Sequence, residues 1–338
     1  MTTQCVKASP ETIAQAAELL KRGEVVAFPT ETVYGLGANA LSDPAVRRIF
    51  AAKNRPADNP LIVHIYDPAQ MDELCYVNDM ARALIKAFCP GPLTMLLPKK
   101  PIVPDVCTAG LSSVGIRIPS HPVAREMLRV CGLPIAAPSA NRSTRPSPTQ
   151  AAHVLEDMDG LIPMILDGGS SDVGVESTVV DLTGSEPIVL RPGAVTPEMI
   201  RAAVGFSSVA DSVMRPLREG EAAPSPGMRH KHYAPRGRMT IICGEAIAVE
   251  NRIRALYDAS ENACILALTP HIASYGDRRV MDLGEDENAM AHNIFSILRE
   301  ADEQGIDRLF AEGIASSGMG LAVMNRMARA AAFDIENV

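Results

Sequence analysis

Between residues 24 and 191 the chain keeps producing short apolar runs, most of them four to six residues long, that stop at proline, hydroxyl or cationic residues. Strand patterns fall at 24–29 (EVVAFP), 61–65 (LIVHI), 93–98, 114–118, 134–137, 163–167, 177–182 and 187–191. Helical spacing intervenes at 12–22, 43–52, 79–88, 122–131, 150–158 and 197–204. The later strands follow one another with only turns between them. A parallel pair needs a long crossover, so this order predicts a mixed sheet and not a purely parallel doubly wound one.

A second pattern begins near residue 239. MTIICG, ACILAL, RRVMDLG and DRLFAEG are short apolar strands, with helices fitting 246–257, 288–304 and 321–331. This predicts a small parallel α/β layer structure with right-handed crossovers. The 338-residue length fits two domains. Aromatics make up 4% of the chain and tryptophan is absent, so both cores must be aliphatic.

Charge is uneven along the chain. Residues 1–206 hold 18 basic and 21 acidic residues, 207–238 hold 6 and 3, and 239–338 hold 8 and 16 with no Lys. These net values of −3, +3 and −8 sum to the formal charge of −8. Overall acidity argues against a protein that coats nucleic acid, since such binding neutralises phosphates. The segment 207–238 is rich in Pro, Ser and Arg without apolar periodicity, which reads as a linker. It is also basic and ends in HKHYAP, chemistry that a mere tether does not need. His230 and His232 lack acidic or Cys partners nearby and make a poor metal set.

The N-terminus has none of the basic start, apolar run and cleavage site of a signal peptide, and no stretch approaches a membrane span. The seven Cys are scattered without a CxxC pair, as expected of free, mostly buried thiols in a reducing cytoplasm.

Five segments could carry chemistry. In PTETVYGLGANA, Gly35, Gly37 and Ala40 fit G-x-G-x-x-[GA], but six residues separate the strand from the first glycine. A dinucleotide fingerprint needs that glycine at the strand-to-helix turn, so coincidence is the better reading. Thr30, Glu31 and Thr32 instead present hydroxyls and a carboxylate at a strand end. In AAKNRPADNPLIVHI, Lys53 and Arg55 are either cations at a helix C-terminus or an anion clamp. His64 reads, taken alone, as a sheet histidine. Arg117 interrupts the strand VGIRIP, where it is either solvated or paired with a ligand carboxylate, because an unpaired buried Arg is too costly. PSANRSTRPS, with Ser139, Asn141 and Ser147, fits an anion-binding turn or a plain Ser/Pro loop. GVESTVVDL and LRPG place Ser177, Thr178 and Arg191 on or beside strands. No P-loop, G-x-S-x-G elbow or H-E-x-x-H occurs.

PTETVYGLG, KNRPADNPL, PGPLTMLL, VGIRIPSHP, PSANRS, GVESTVVDL, LRPG and SPGMRHKHYAP occur in this order, and as a set the chain resembles the threonylcarbamoyl-AMP synthases, the YrdC-like family in its long two-domain form. The resemblance implies a YrdC-like catalytic domain over 1–206, with a twisted mixed sheet and a concave cavity. It also implies a basic linker or lid over 207–238 and a Rossmann-like α/β domain over 239–338. The implied activity joins L-threonine, bicarbonate and ATP into threonylcarbamoyl-AMP and pyrophosphate, a nucleotidyl transfer. A partner transferase then uses the product on tRNA, which the chain itself would bind weakly if at all. A cytoplasmic location without membrane contact is expected.

By the same resemblance, Thr32, His64, Arg117, the backbone at Ala137, and Ser177 or Thr178 hold threonine, with Arg117 on its α-carboxylate. Lys53, Arg55, Asn59, Ser113, Ser139, Asn141, Ser147 and Arg191 hold ATP, and Tyr233 closes over the nucleotide. Lys53 and Arg55 are the expected catalytic cations, with Mg²⁺ carried mainly on the ATP phosphates and no general base in view. One departure is Arg229-His230, where the family often has Lys-Tyr; charge is kept but a ring differs. The competing readings are an RNA-binding module without synthesis, disfavoured by the −3 charge of 1–206, and a nicotinamide enzyme. Carbamoyl transfer in hydrogenase maturation would need zinc-finger Cys pairs and an acylphosphatase module, which are absent.

Overall fold

The computed structural model describes residues 2–216 and 233–338. These form two compact units. The first comprises 2–143 and Ser147–Val213, the second Thr144–Pro146, Met214–Pro216 and 233–338. The segment 217–232, with Arg229, His230, Lys231 and His232 of the expected lid, lies outside the described residues.

The first unit is built on one sheet of eleven strands: β1 (Gln4–Lys7), β2 (Val26–Phe28), β3 (Gly35–Asn39), β4 (Ile62–His64), β5 (Leu93–Pro98), β6 (Ser113–Arg117), β7 (Ile135–Ala136), β8 (Met164–Asp167), β9 (Thr178–Asp181), β10 (Ile188–Arg191) and β11 (Ser208–Val209). Their spatial order is β1-β8-β2-β3-β7-β4-β6-β5-β9-β10-β11. Parallel pairs (β1/β8, β4/β6, β5/β9) alternate with antiparallel ones (β2/β3, β3/β7, β6/β5, β9/β10), so the sheet is mixed, as the strand spacing predicts.

Three strands escaped the periodicity reading, the two-residue edge strand β11 among them. The edge strand β1 is mostly exposed and lacks an apolar alternation. Another, β3, is the glycine segment GLGAN itself. A Cβ on Gly37 would stand 2.8 Å from both Ile135 Cγ2 and Phe28 Cε1, closer than carbons approach. The second glycine of the apparent fingerprint therefore lets strands and an aromatic ring pack, and no turn to a helix follows it.

Helix Pro10–Lys21 begins at a reciprocal cap: Thr12 N donates to Ser9 Oγ at 3.3 Å and Ser9 N to Thr12 Oγ1 at 2.8 Å. It buries Ile13, Ala16, Ala17 and Leu20, the i, i+3, i+4, i+7 stripe, against helix Pro122–Cys131, which stops at left-handed Gly132. Together they cover Val26, Phe28, Ile135, Met164 and Leu166 on one face of the sheet. Each large side chain so buried contributes about 1.5–3 kcal/mol. The opposite face carries the larger aliphatic core, with Ala27, Leu36, Val63, Met95 and Ile116 under helices Asp43–Lys53, Asp79–Phe88 and Ala151–Met158.

Register then decides what the first face presents beyond β7. His64 pairs with Ile135 and Arg117, and Arg117 pairs with Thr94. Side chains at paired positions share a face, so His64, Arg117 and Thr94 form a polar row on the face that holds Phe28.

The second unit has five parallel strands: β12 (Arg238–Cys243), β13 (Ala263–Ala267), β14 (Val280–Asp282), β15 (Arg308–Glu312) and β16 (Ile335–Asn337), in the order β14-β13-β15-β12-β16. The expected parallel layer is present, with β16 added at one edge. Helices Ala246–Asp258, Glu287–Glu303 and Gly318–Ala330 connect the strands. Among the described residues no helix is long and apolar enough to cross a membrane. All seven Cys are free thiols, four of them buried.

Candidate active site

The site is assembled where β2, β4, β6 and β7 end and β9 begins. Thr30, just past β2, accepts from the Thr32 and Val33 amides at 3.2 and 3.3 Å. Its hydroxyl donates to Val33 O at 2.6 Å and lies 2.9 Å from Thr32 Oγ1. This hydroxyl turn fixes the next carboxylate. Glu31 pairs with Arg117 at 2.8 Å and accepts from Ser120 N at 3.1 Å. Arg117 also donates to Thr30 Oγ1 at 3.4 Å, while its buried Nε has no hydrogen-bond partner among the described residues. Burial pushes the Glu31 carboxyl up, but Arg117's charge and hydrogen bond, with the Ser120 amide, outweigh it and hold the group below its ordinary value.

His64 is buried beside this pair, edge-on to Phe28 at 6.1 Å, with Nδ1 3.2 Å from Ile62 O. Burial, and secondarily the Arg117 charge, depress its pKa to about 3, so the imidazole is neutral at physiological pH. Beyond Arg117 the row continues: Thr94 Oγ1 is 2.8 Å from Ser177 Oγ, and Arg191 donates to Ser177 O at 3.0 Å and Ser177 Oγ at 3.2 Å. One connected line thus runs Thr32–Thr30–Arg117, then across paired Thr94 to Ser177 and Arg191. Thr178 turns away: its hydroxyl donates to Val195 O at 2.7 Å. Of the two residues that were open, Ser177 is the one on the line. Ala137 N is already committed to Ile62 O at 2.9 Å, so only its carbonyl remains for other partners.

A second cluster surrounds the PSAN turn. Lys53 is 2% exposed, and its ammonium donates to Ser139 O at 2.5 Å and to Asn141 O. Ser139 Oγ donates to Asn141 Oδ1 at 2.5 Å, and Asn141 Nδ2 to Arg142 O at 2.8 Å. Lys53 therefore pins the turn from beneath. Arg55 is half-buried, 5.9 Å over the Phe50 ring and 3.4 Å from Asn59 O. Asn59 is fully buried, yet neither atom of its side-chain amide has a partner among the described residues. A buried orphan amide costs about 1–3 kcal/mol, which a ligand would relieve. Ser147 donates to buried Glu176 at 2.5 Å, and Glu176 adjoins Ser177 in the chain.

Two expected residues remain, Ser113 and Tyr233. Ser113 opens β6 four residues before Arg117, on the same face but roughly 13 Å along the strand. Tyr233 belongs to the second unit, where its ring packs 5.1 Å from Phe295 with the Arg326 guanidinium 5.9 Å over it. Two contributors, Thr94 and Glu176, had no role in the sequence reading, and Glu31 was marked there only as a carboxylate at a strand end, without its partner. Thr94 is the one hydroxyl in an otherwise apolar strand, and that interruption was its signal. Glu176 gave only its place in GVEST, and the pairing of Glu31 with Arg117 spans 86 residues of chain.

The comparisons with known proteins cover both units. The Sua5–YciO–YrdC family, described as telomere recombination, matches residues 18–193, and the threonylcarbamoyl-AMP synthase C-terminal domain matches 195–332. The chain is 44% identical to threonylcarbamoyl-AMP synthase of Pyrococcus abyssi over 96% of its own length and 95% of the relative's. It is also 44% identical to the synthase of Bacillus subtilis, over 94% and 92%. A crystal structure of P. abyssi Sua5 complexed with L-threonine superposes with a TM-score of 0.92 at 42% identity, covering 100% of this chain and 99% of that one.

Proposed function

This chain belongs to the threonylcarbamoyl-AMP synthases, the Sua5 branch of the Sua5–YciO–YrdC family, and from that premise we propose that it joins L-threonine, bicarbonate and ATP into threonylcarbamoyl-AMP, releasing pyrophosphate. The reaction is a nucleotidyl transfer. The observation that carries it is the polar row on one sheet face, Thr32–Thr30–Arg117 and, across the paired Thr94, Ser177–Arg191, which suits an amino acid at one end and phosphates at the other.

Threonine's α-carboxylate takes the unpartnered Nε of Arg117. Glu31 keeps that guanidinium aligned and compensates its charge while no substrate is bound. His64 is neutral and adds no charge of its own to the pocket. The hydroxyls of Thr32 and Ser177 complete the pocket, with the Ala137 carbonyl as a further acceptor. The amine nitrogen attacks the bicarbonate carbon, water leaves, and a carbamate forms. A carbamate oxygen then attacks the α-phosphorus of ATP in line, and the bond to the pyrophosphate oxygen breaks.

Negative charge on the phosphates is met by Arg55 and Arg191, while Lys53 shapes the 139–141 turn and adds its field. Catalysis of this type rests on positioning and preorganised charge. Asn59, Ser139, Asn141 and Ser147 bind the nucleotide; roles for Ser113 and Tyr233 there rest on the family resemblance alone. Mg²⁺, carried on the ATP phosphates, would screen their charge, and Arg55 and Arg191 would meet what remains.

The product is a mixed anhydride, labile in water, so a transferase must consume it; we assign that step to tRNA threonylcarbamoylation in the same compartment. Whole-chain similarity to synthases leaves the RNA-binding alternative without support. The deciding experiment incubates the protein with ATP, Mg²⁺, bicarbonate and L-threonine and measures pyrophosphate. Threonine-dependent release is expected; release that ignores threonine, or none, overturns the reading.

A further inference from the structure

The second unit contains a cavity of about 280 Å³ that plays no part in the synthesis outlined above. It is lined by Glu250, His271 and Glu312 among glycine and apolar residues. Its place in the fold is specific. Gly244 follows the end of β12, Leu268 follows the end of β13, and Glu312 ends β15, so the cavity sits at the carboxyl edge of three neighbouring parallel strands. The chain steps from β12 outward through β13 to β14, then returns through β15 to β16 on the other side. The connections leaving β15 and its two neighbours therefore diverge. That is the switch point at which open α/β sheets form ligand crevices.

The polar groups there are built, not incidental. Glu312 is 94% buried by its 6% exposure. Its carboxylate accepts from Tyr275 Oη at 2.6 Å, from Leu268 N at 3.1 Å and from His271 Nδ1 at 2.8 Å. Because the carboxylate accepts, Nδ1 carries a hydrogen, and the neutral form of the ring, which lines the cavity, has Nε2 as an acceptor. Glu250, tied to Arg254 at 2.5 Å, adds a second carboxylate. The remaining lining side chains are apolar: Ala246, Val249, Leu268, Ile314 and Ala315. Among the described residues no Lys or Arg lines the cavity, and residues 239–338 carry 16 acidic against 8 basic residues.

Every polar side chain in the lining is thus an acceptor or an acid, set around aliphatic walls. Such a site takes a ligand with a flat apolar body and several N–H or O–H donors, and it repels phosphate. The volume lies just below the usual ligand-pocket range of roughly 300–1,000 Å³, room for one ring system with a sugar but not for a dinucleotide. We propose that this cavity is a second, non-catalytic binding site for a nucleoside without phosphate, its base between Val249, Leu268 and Ile314 and its donors on His271 Nε2 and Glu250.

The test uses the full chain with L-threonine and a non-hydrolysable ATP analogue at saturation, so that the synthase site is filled. Adenosine, guanosine, cytidine and uridine are titrated by calorimetry, with AMP for comparison. Saturable binding of at least one nucleoside is expected, no weaker than AMP. Binding should fall at least tenfold in both Ala246→Trp and Ala315→Trp, two exposed rim positions where a larger ring blocks entry without disturbing the core. Thermal unfolding of each variant verifies that it folds, and unchanged threonine-dependent pyrophosphate release separates this site from the synthase reaction. The proposal is overturned by no saturable nucleoside binding up to millimolar concentration, by undiminished binding in the Trp variants, or by AMP binding tenfold more tightly than its nucleoside.

Discussion

Glu31 and Arg117 face each other at 2.8 Å, with side-chain exposures of only 6% and 5%. A pair so deeply buried contributes little net stability against an apolar substitute, but losing one partner strands the other. Glu31→Gln should therefore destabilise the protein by about 3–5 kcal/mol. It should also raise KM for threonine more than it lowers kcat, because Arg117 loses its alignment before substrate arrives. Chemical denaturation and initial-rate kinetics check the two effects separately. The pair also sets an acid limit. The Glu31 carboxyl lies below its ordinary value in the folded protein, so its contribution is complete above pH of about 4.3 and is lost as pH falls through the depressed value.

Gly37→Ala should cost stability without touching substrate contacts. The added methyl would sit 2.8 Å from Ile135 Cγ2 and from Phe28 Cε1, and overpacking of this kind costs about 1–3 kcal/mol. Gly184→Ala is the matched control: nothing stands within 4 Å of the new carbon, and its backbone is not in the left-handed region. The expected outcome in thermal unfolding is a lower midpoint for Gly37→Ala and an unchanged or slightly higher one for Gly184→Ala.

The same glycine shows what the sequence could and could not reveal. The segment 35–39 has too little side chain to carry an apolar alternation, so β3 is invisible to periodicity although it lies mid-sheet. The edge strands β1 and β16 fail for the opposite reason: their residues are half-exposed and polar, and pairing alone holds them. By contrast β5 and the helices Asp79–Phe88, Pro122–Cys131 and Pro197–Val204 fall on the residues that apolar spacing marked, because each buries one stripe or run against a core. For the site, charge within a strand pattern exposed Arg117, and hydroxyls at strand ends exposed Thr32 and Ser177. What pairs with them was not legible, since Glu31–Arg117, Thr94–Ser177 and Ser147–Glu176 are contacts between distant parts of the chain.

His64 should leave its mark on stability and not on the pH dependence of turnover. Its folded-state pKa is pushed down to about 3 by burial first and the Arg117 charge second. The unfolded chain takes up a proton near pH 6.5 and the folded one does not, so stability is complete above about pH 6.5 and falls as pH drops toward 3. Against His64→Gln, the native protein should show an extra slope of up to about 1.4 kcal/mol per pH unit in that window. Denaturant midpoints collected between pH 4 and 7 measure it. The same slope in both proteins would mean that the imidazole is not held neutral.

Lys53 and Arg55 lie two residues apart and should fail differently. The Lys53 ammonium is buried on the carbonyls of Ser139 and Asn141, so Lys53→Ala leaves polar groups of the turn without a donor, at about 1–3 kcal/mol each. That variant should unfold earlier and bind ATP poorly, with KM for ATP rising most. Arg55 is half-buried, over the Phe50 ring and 3.4 Å from Asn59 O, so Arg55→Ala should lower the unfolding midpoint less than Lys53→Ala does. If Arg55 meets charge that develops on the phosphates, its kcat should still drop on the order of 10²–10³, the usual loss for one preorganised donor. Steady-state kinetics paired with thermal unfolding separate the two patterns. Near-normal turnover in Arg55→Ala would remove it from the reaction, and a Lys53→Ala protein with normal KM for ATP would show that the 139–141 turn holds its shape without the cation.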